Sequence, residues 1–187
     1  MKLTTIIAAL RERCPRFENR IGGAAQFKAI PDAGKLRLPA AYVVPSDDAP
    51  GEQKSQTDYW QDLTEGFSVI VVLSNERDEK GQWAAYDDVH DVRRELWKAL
   101  LGWMPDPQGG EIVYAGGTLL DLNRYELYYQ FDFTAKYEIT EEDTRQAEDV
   151  NALPDLSLLS IDVDYIDPGT GPDGDIEHHL EMRFPQK

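Results

Sequence analysis

YELYYQFDFTAKYEI, Tyr125–Ile139, is the stretch whose reading decides the fold. Every odd position is apolar or aromatic: Tyr125, Leu127, Tyr129, Phe131, Phe133, Ala135, Tyr137 and Ile139. Every even position is polar except Tyr128. Side chains alternate across a strand with period two, so the pattern predicts one strand with one buried face. At about 3.3 Å per residue it reaches roughly 50 Å, whereas a usual strand has about 5–6 residues. A strand of that length extends beyond its sheet and needs a long partner. The only other run of that length is TDYWQDLTEGFSVIVVLS, residues 57–74. Its Tyr59, Leu63, Phe67, Val69, Val71 and Leu73 share one parity, interrupted by Gln61 and Glu65. The SVIVVL tail is apolar on both faces, as a central strand is. The first half is polar enough to project from the body.

Outward from this pair, Leu3, Ile6, Ile7, Leu10 and Cys14 recur at helical spacing, and Pro15 ends the helix. Gly22-Gly23 reads as a break, FKAI (27–30) as a short strand, PDAG (31–34) as a turn and AAYVV (40–44) as a strand. PSDDAPGEQKSQ (45–56) reads as an exposed loop. A long helix is expected over 83–103, with Ala85, Val89, Val92, Leu96, Leu100 and Trp103 as its buried stripe, widened by Trp97 and Leu101. EIVYAGGTLLDLN (111–123) predicts a strand bent or bulged at Gly116-Gly117. These elements predict an α+β fold: a mainly antiparallel or mixed sheet, two main helices on one side, and long projecting strands. The expected organisation is a domain over 1–140, an acidic linker over 141–156 with a short helix in it, and a β-hairpin over 157–187.

The net charge of −16 argues against wrapping nucleic acid by phosphate neutralisation and against adhesion to anionic membranes. Residues 141–187 hold 13 acids and 3 bases, so most of that charge lies in the C-terminal quarter. No apolar run reaches the roughly 18 residues of a membrane span. MKLTTIIAALRERCPR reads as a helix rather than a signal peptide, so secretion is not expected. The one cysteine, Cys14, reads as a core residue rather than a nucleophile.

Two places invite a metal or an acid–base role. DYIDPGTGPDGDIEHH, Asp164–His179, is rich in aspartate and glycine, but neither register fits a calcium loop. Strand alternation also sends His178 and His179 to opposite faces, so a hairpin turn explains the residues better than a metal site. Asp87, His90 and Asp91 share a helical face. Acids in a first helical turn are ordinary, and His90 has Arg94 one turn on as a pairing candidate. No catalytic, cofactor or metal residue is assigned; phosphate-loop and dinucleotide motifs are absent from the sequence. Tyr59, Trp60 and Tyr128 stand out as aromatics on polar faces, suited equally to a partner surface and to cover by the C-terminal hairpin.

The order of elements resembles the tail terminator proteins of long-tailed bacteriophages and prophages. LTTIIAALRERCP leads to GGAAQFKAI, LRLPAAYVVPSDDAPG, FSVIVVLSNERDEKG, YDDVHDVRRELWKALLGW and GGTLLDLNRYELYYQFDFTAKYEIT. The likeness covers about residues 1–140 and lies in the whole pattern. It implies a non-enzymatic protein of the virion tail, assembled in the host cytoplasm as a homo-oligomeric, hexameric ring. Such a ring ends the tail tube, stops its polymerisation and meets the head-completion or connector protein. It also implies that tube and ring contacts fall on 45–56, 57–66 and 125–139, with Asp47, Asp48, Glu52, Tyr59, Trp60 and Tyr128 as interface side chains. Acidic walls suit a channel that DNA slides through without binding. Alternatives are another phage neck or tail-tube component, a small acidic metal-dependent enzyme, and a monomeric acidic binding module.

Overall fold

The computed structural model describes residues 1–28, 37–75, 84–164, 174, 176 and 178–185. The chain forms two units, Met1–Asp143 and Thr144–Lys187.

In the first unit the Tyr125–Ile139 signal becomes strand β6, Glu126–Ile139, and the 57–74 run becomes β4, Gln61–Ser74. They pair antiparallel over their whole length, from Gln61 opposite Ile139 to Ser74 opposite Glu126. Around them lie β1 (Ile21–Gly23), β2 (Ala40–Pro45), β3 (Ala49–Gln53) and β5 (Val113–Leu122). The sheet runs β1-β2-β4-β6-β5, with β3 also pairing β4, and of these described pairs only β1–β2 is parallel. This mixed sheet with helices is the expected α+β class.

Helices α1 (Leu3–Arg13) and α3 (Ala84–Leu100) cover one face. Ile6 and Leu10 of α1 and Val89, Val92 and Leu96 of α3 join Phe67, Val69, Val71, Leu127, Phe131 and Phe133 in one core. Odd positions of both long strands therefore face the helices, as their alternation requires. Arg16, in the 3-10 turn after α1, ties that turn to α3 through Asp88 at 3.3 Å and Glu95 at 3.0 Å. Cys14 is in this core, and burial, then the charge of Glu95, pushes its thiol up to about 11. A thiol so disfavoured as thiolate is a packing residue.

Three short elements differ from the expectation. Gly22-Gly23 is not a break but part of β1, because its backbone pairs with Tyr42 and Val43. Residues 27–28 are not strand: Ala24–Lys28 is a helix, α2, whose Phe27 packs at 5.4 Å on Tyr42 across the second face. One apolar side chain sufficed to hold that turn, so no period was visible. Within the expected loop 45–56 lies β3, exposed at every residue and so without apolar alternation. PDAG and residues 29–30 lie outside the described residues.

β2 and β3 pair along the same edge of β4, interrupted at Ser46–Asp48. Gly66 of β4 sits at this junction. A Cβ there would stand 2.3 Å from Ser46 Oγ and 2.9 Å from the Asp47 carbonyl oxygen. Gly66→Ala is expected to cost about 1–3 kcal/mol by overpacking, read as a lower denaturant midpoint. Adding Ser46→Ala should recover part of the loss. A single mutant as stable as the parent would show that the junction yields without strain.

In the second unit Thr144 caps α4 (Arg145–Asn151), its Oγ1 accepting the Ala147 N–H at 3.3 Å. Strands β7 (Leu158–Val163) and β8 (His178–Arg183) pair antiparallel, Leu159 opposite Met182 and Ile161 opposite Leu180. Ile161, Leu180 and Met182 are nonetheless exposed.

Candidate functional site

Asp47 and Asp48, β3, the turn after it and the first half of β4 form an arm, backed on the other edge of β4 by the end of β6. Exposed β3 pairs with β4 from Ala49 opposite Thr64 to Gln53 opposite Gln61. Along β4 apolar burial begins at Phe67, and Gln61–Gly66 pair with Thr134–Ile139 of β6, so β3 and the turn rest on backbone pairing and polar side-chain bonds. Its tip is closely tied. The Lys54 N–H donates to the Trp60 carbonyl at 2.8 Å, and the Trp60 N–H to Gln53 Oε1 at 3.2 Å. Gln53 Nε2 donates to the Asp58 carbonyl at 2.9 Å, and Gln61 Nε2 to the Gly51 carbonyl at 2.7 Å. Lys54 Nζ pairs with Asp62 at 2.5 Å and lies 4.9 Å from the Trp60 ring centre. Tyr59 O–H donates to Gln61 Oε1 at 2.8 Å. This scaffold leaves Tyr59 41 % and Trp60 44 % exposed. Fixed, amphipathic rings with water on one side are what a protein contact uses.

Of the six residues singled out from the sequence, five share this arm. Tyr59 and Trp60 are at its tip, exposed Glu52 is on β3, and exposed Asp47 and Asp48 are at the β2–β3 junction. Tyr128 is elsewhere. It lies opposite Val72 and packs, half-buried, against the cluster of Ala40, Tyr42 and Val72. Its O–H donates to Glu126 Oε2 at 2.9 Å; burial, then this carboxylate, pushes its pKa up to about 12. α2 and β2 supply the cover that explains an aromatic at an even position.

A second surface carries no period-two signal. β5 is the edge strand of the described sheet, with Leu119, Leu120 and Leu122 exposed and Tyr125 beyond it. Its register slips between Tyr114 and Gly116 and again between Leu119 and Asp121, so Leu120 falls out of alternation. A long edge with exposed leucines is a template for pairing with another chain. Adjacent leucines in GTLLDL were the available sign.

Asp87, His90 and Asp91 are exposed on α3, opposite its buried Val89, Val92 and Leu96. Among the described residues no group of three or more His, Cys, Asp or Glu side chains could hold a metal ion. Residues 165–173 of the glycine-rich stretch lie outside the described residues.

A family model described as phage tail terminator protein matches residues 1–145. The chain belongs to the phage tail terminator family. As a member of that family it is a structural protein of the bacteriophage tail, acting in tail assembly. The matched segment contains the whole first unit, arm included, and ends just past its last residue, Asp143. No curated protein matches the chain. No described helix of this terminator family member is long and apolar enough to cross a membrane.

The second unit, all but its first two residues beyond the family match, carries its own titrating pair. His179 Nδ1 lies 2.5 Å from Asp162 Oδ1 across the hairpin, and its Nε2 lies 3.9 Å from Glu181, which also holds Arg183. The hydrogen bond to Asp162, then the charge of that carboxylate, raises the His179 pKa above 6.5. A raised folded pKa means that the contribution is complete below the ordinary histidine value and is lost as pH rises through the folded one. The hairpin is therefore expected to open more readily at pH 8 than at pH 6, as read by amide exchange. Asp162→Asn should return the imidazole titration, followed by NMR, towards 6.5. A His179 already titrating at 6.5 or below in the parent protein would remove this effect.

Proposed function

We infer that this protein closes the head-proximal end of the tail tube as a ring of identical subunits, six by the family resemblance. It stops tube polymerisation and offers its other face to the head-completion protein. The observation that carries this reading is the arm: the exposed, polar-bonded β3 edge of the long strand pair, with fixed, half-exposed aromatics at its tip. An arm of that kind serves contact, not catalysis, so the role is non-enzymatic. Asp47, Asp48, Glu52, Tyr59 and Trp60 are its contact residues; Tyr128 supports the sheet behind them. The protein acts in the virion tail, and its negative charge lets DNA pass the channel without adhering.

Native mass spectrometry over a concentration series, with images of large species, tests the ring. Addition to polymerising tube protein tests the cap, which should shorten the tubes. A protein that stays monomeric both alone and on tubes, and leaves tube length unchanged, defeats the reading.

A further inference from the structure

A hollow of this acidic chain is basic. A cavity of about 270 Å³ opens among α1, β1 and β2, lined by Arg11, Arg20 and Arg37 with Asn19, Gln26 and Tyr42. Arg11 donates from Nε and Nη2 to the Ile21 carbonyl, at 3.0 and 2.6 Å. Arg20 donates to the Pro39 carbonyl at 2.9 Å and pairs with Glu18. A carbonyl does not neutralise a guanidinium. Among the described residues, neither Arg11 nor exposed Arg37 makes an ion pair. In a chain with 35 acids and 19 bases, two uncompensated guanidinium groups at one hollow stand out as an anion site. The Nε–Nη2 edge of Arg11 is taken by Ile21, but its remaining N–H groups and the planar fork of Arg37 match a carboxylate in particular.

We propose that this hollow receives the acidic arm of a second copy of the chain, with Asp47, Asp48 and Glu52 of the arm meeting Arg37 and Arg11. The proposal rests on the ring reading and names the contact within it. Charge complementarity selects the arm. Asp47, Asp48, Glu52 and Asp58 are all exposed on it, and its one base, Lys54, is taken by Asp62. The arm of the same copy cannot supply these groups. Ala40 on the cavity wall is seven residues from Asp47, mostly along extended β2, or about 23 Å at 3.3 Å per residue. That exceeds the combined reach of an arginine and an aspartate. Different patches of two copies therefore meet, and a head-to-tail contact of this kind closes rings when its rotation closes. A phosphate backbone is the poorer occupant. The hollow holds one or two side chains rather than tracking a strand, and the chain's net charge of −16 repels a polyanion.

The test uses full-length protein and two charge reversals: Arg37→Glu, and the pair Asp47→Lys with Asp48→Lys. Each alone sets like charges against each other, and should raise the concentration for half-assembly by about tenfold or more. Mixed one to one, they should assemble like the parent, because in an alternating ring every hollow then meets an arm of opposite charge. Arg37→Ala should shift assembly in the same direction by less, and tryptophan fluorescence checks that each variant is folded. Variants that assemble like the parent overturn the proposal, as does a mixture no better than its components. Loss of binding to inorganic phosphate or a short DNA duplex in Arg37→Glu, with assembly intact, overturns it in favour of a phosphate site. Intact rings in both variants remove this contact alone, whereas a parent that never assembles removes the ring as well.

Discussion

Phe133→Ala is expected to bring the first unit close to unfolding. Phe133 is fully buried and lies opposite Phe67 in the β4–β6 pairing, the rings 5.4 Å apart and nearly parallel at 18°. On its other side Tyr114 of β5 meets it edge-on at 5.6 Å, and Trp97 of α3 meets Tyr114 at 5.3 Å. One ring thus links three strands and, through Tyr114, the helix above them. Removing it deletes the transfer energy of a phenyl group and leaves a cavity whose walls are other rings. Such changes cost about 3–5 kcal/mol, against about 5–15 kcal/mol for a typical domain. All four tryptophans precede Thr144, so tryptophan fluorescence follows the first unit without the second. Phe133→Leu, which keeps most of the volume, should lose far less. If alanine and leucine gave the same small shift in denaturant midpoint, the rings would not be the link between layers.

The two long strands were legible because burial on one face wrote period two into their sequence. Phe131, Phe133 and Ala135 are buried, while Gln130, Asp132 and Thr134 between them are only partly so. The long helix was legible for the same reason at period 3.6. What lacked a one-sided burial lacked a signal. β3 is exposed throughout, α2 fixes its place with Phe27, and β1 is an edge strand of three residues, two of them glycine. Of the candidate contact side chains, Tyr59 and Trp60 showed themselves by placing large rings on a polar stretch. Tyr128 gave the same signal for a different cause. Its cover comes from β2 and Phe27, far away in sequence, and only the folded sheet brings them together. The hollow was equally hidden, since its arginines come from α1, the turn after it and the entry to β2.

Trp60→Ala is expected to remove function while leaving the fold intact. The indole projects from the arm, and its backbone is bonded on both sides to Gln53 and Lys54. Little ordering is left to lose on contact, which is the condition under which an exposed aromatic becomes a dominant anchor. Truncating such an anchor costs at least about 2 kcal/mol of binding, or roughly thirtyfold in affinity. Loss of the same exposed ring should change stability by little more than about 0.5 kcal/mol. The split between the two readouts is the test: tube length in the presence of added variant, against the denaturant midpoint of the variant alone. Tyr128→Ala should show the reverse split, because its ring fills the cluster with Tyr42 and Val72 rather than facing outward. Asp91→Ala, on the exposed side of α3, should change neither. A Trp60→Ala protein that shortens tubes as well as the parent would place the tube contact elsewhere on the subunit. The β5 edge of the described sheet, with its exposed leucines, would then be the next surface to alter.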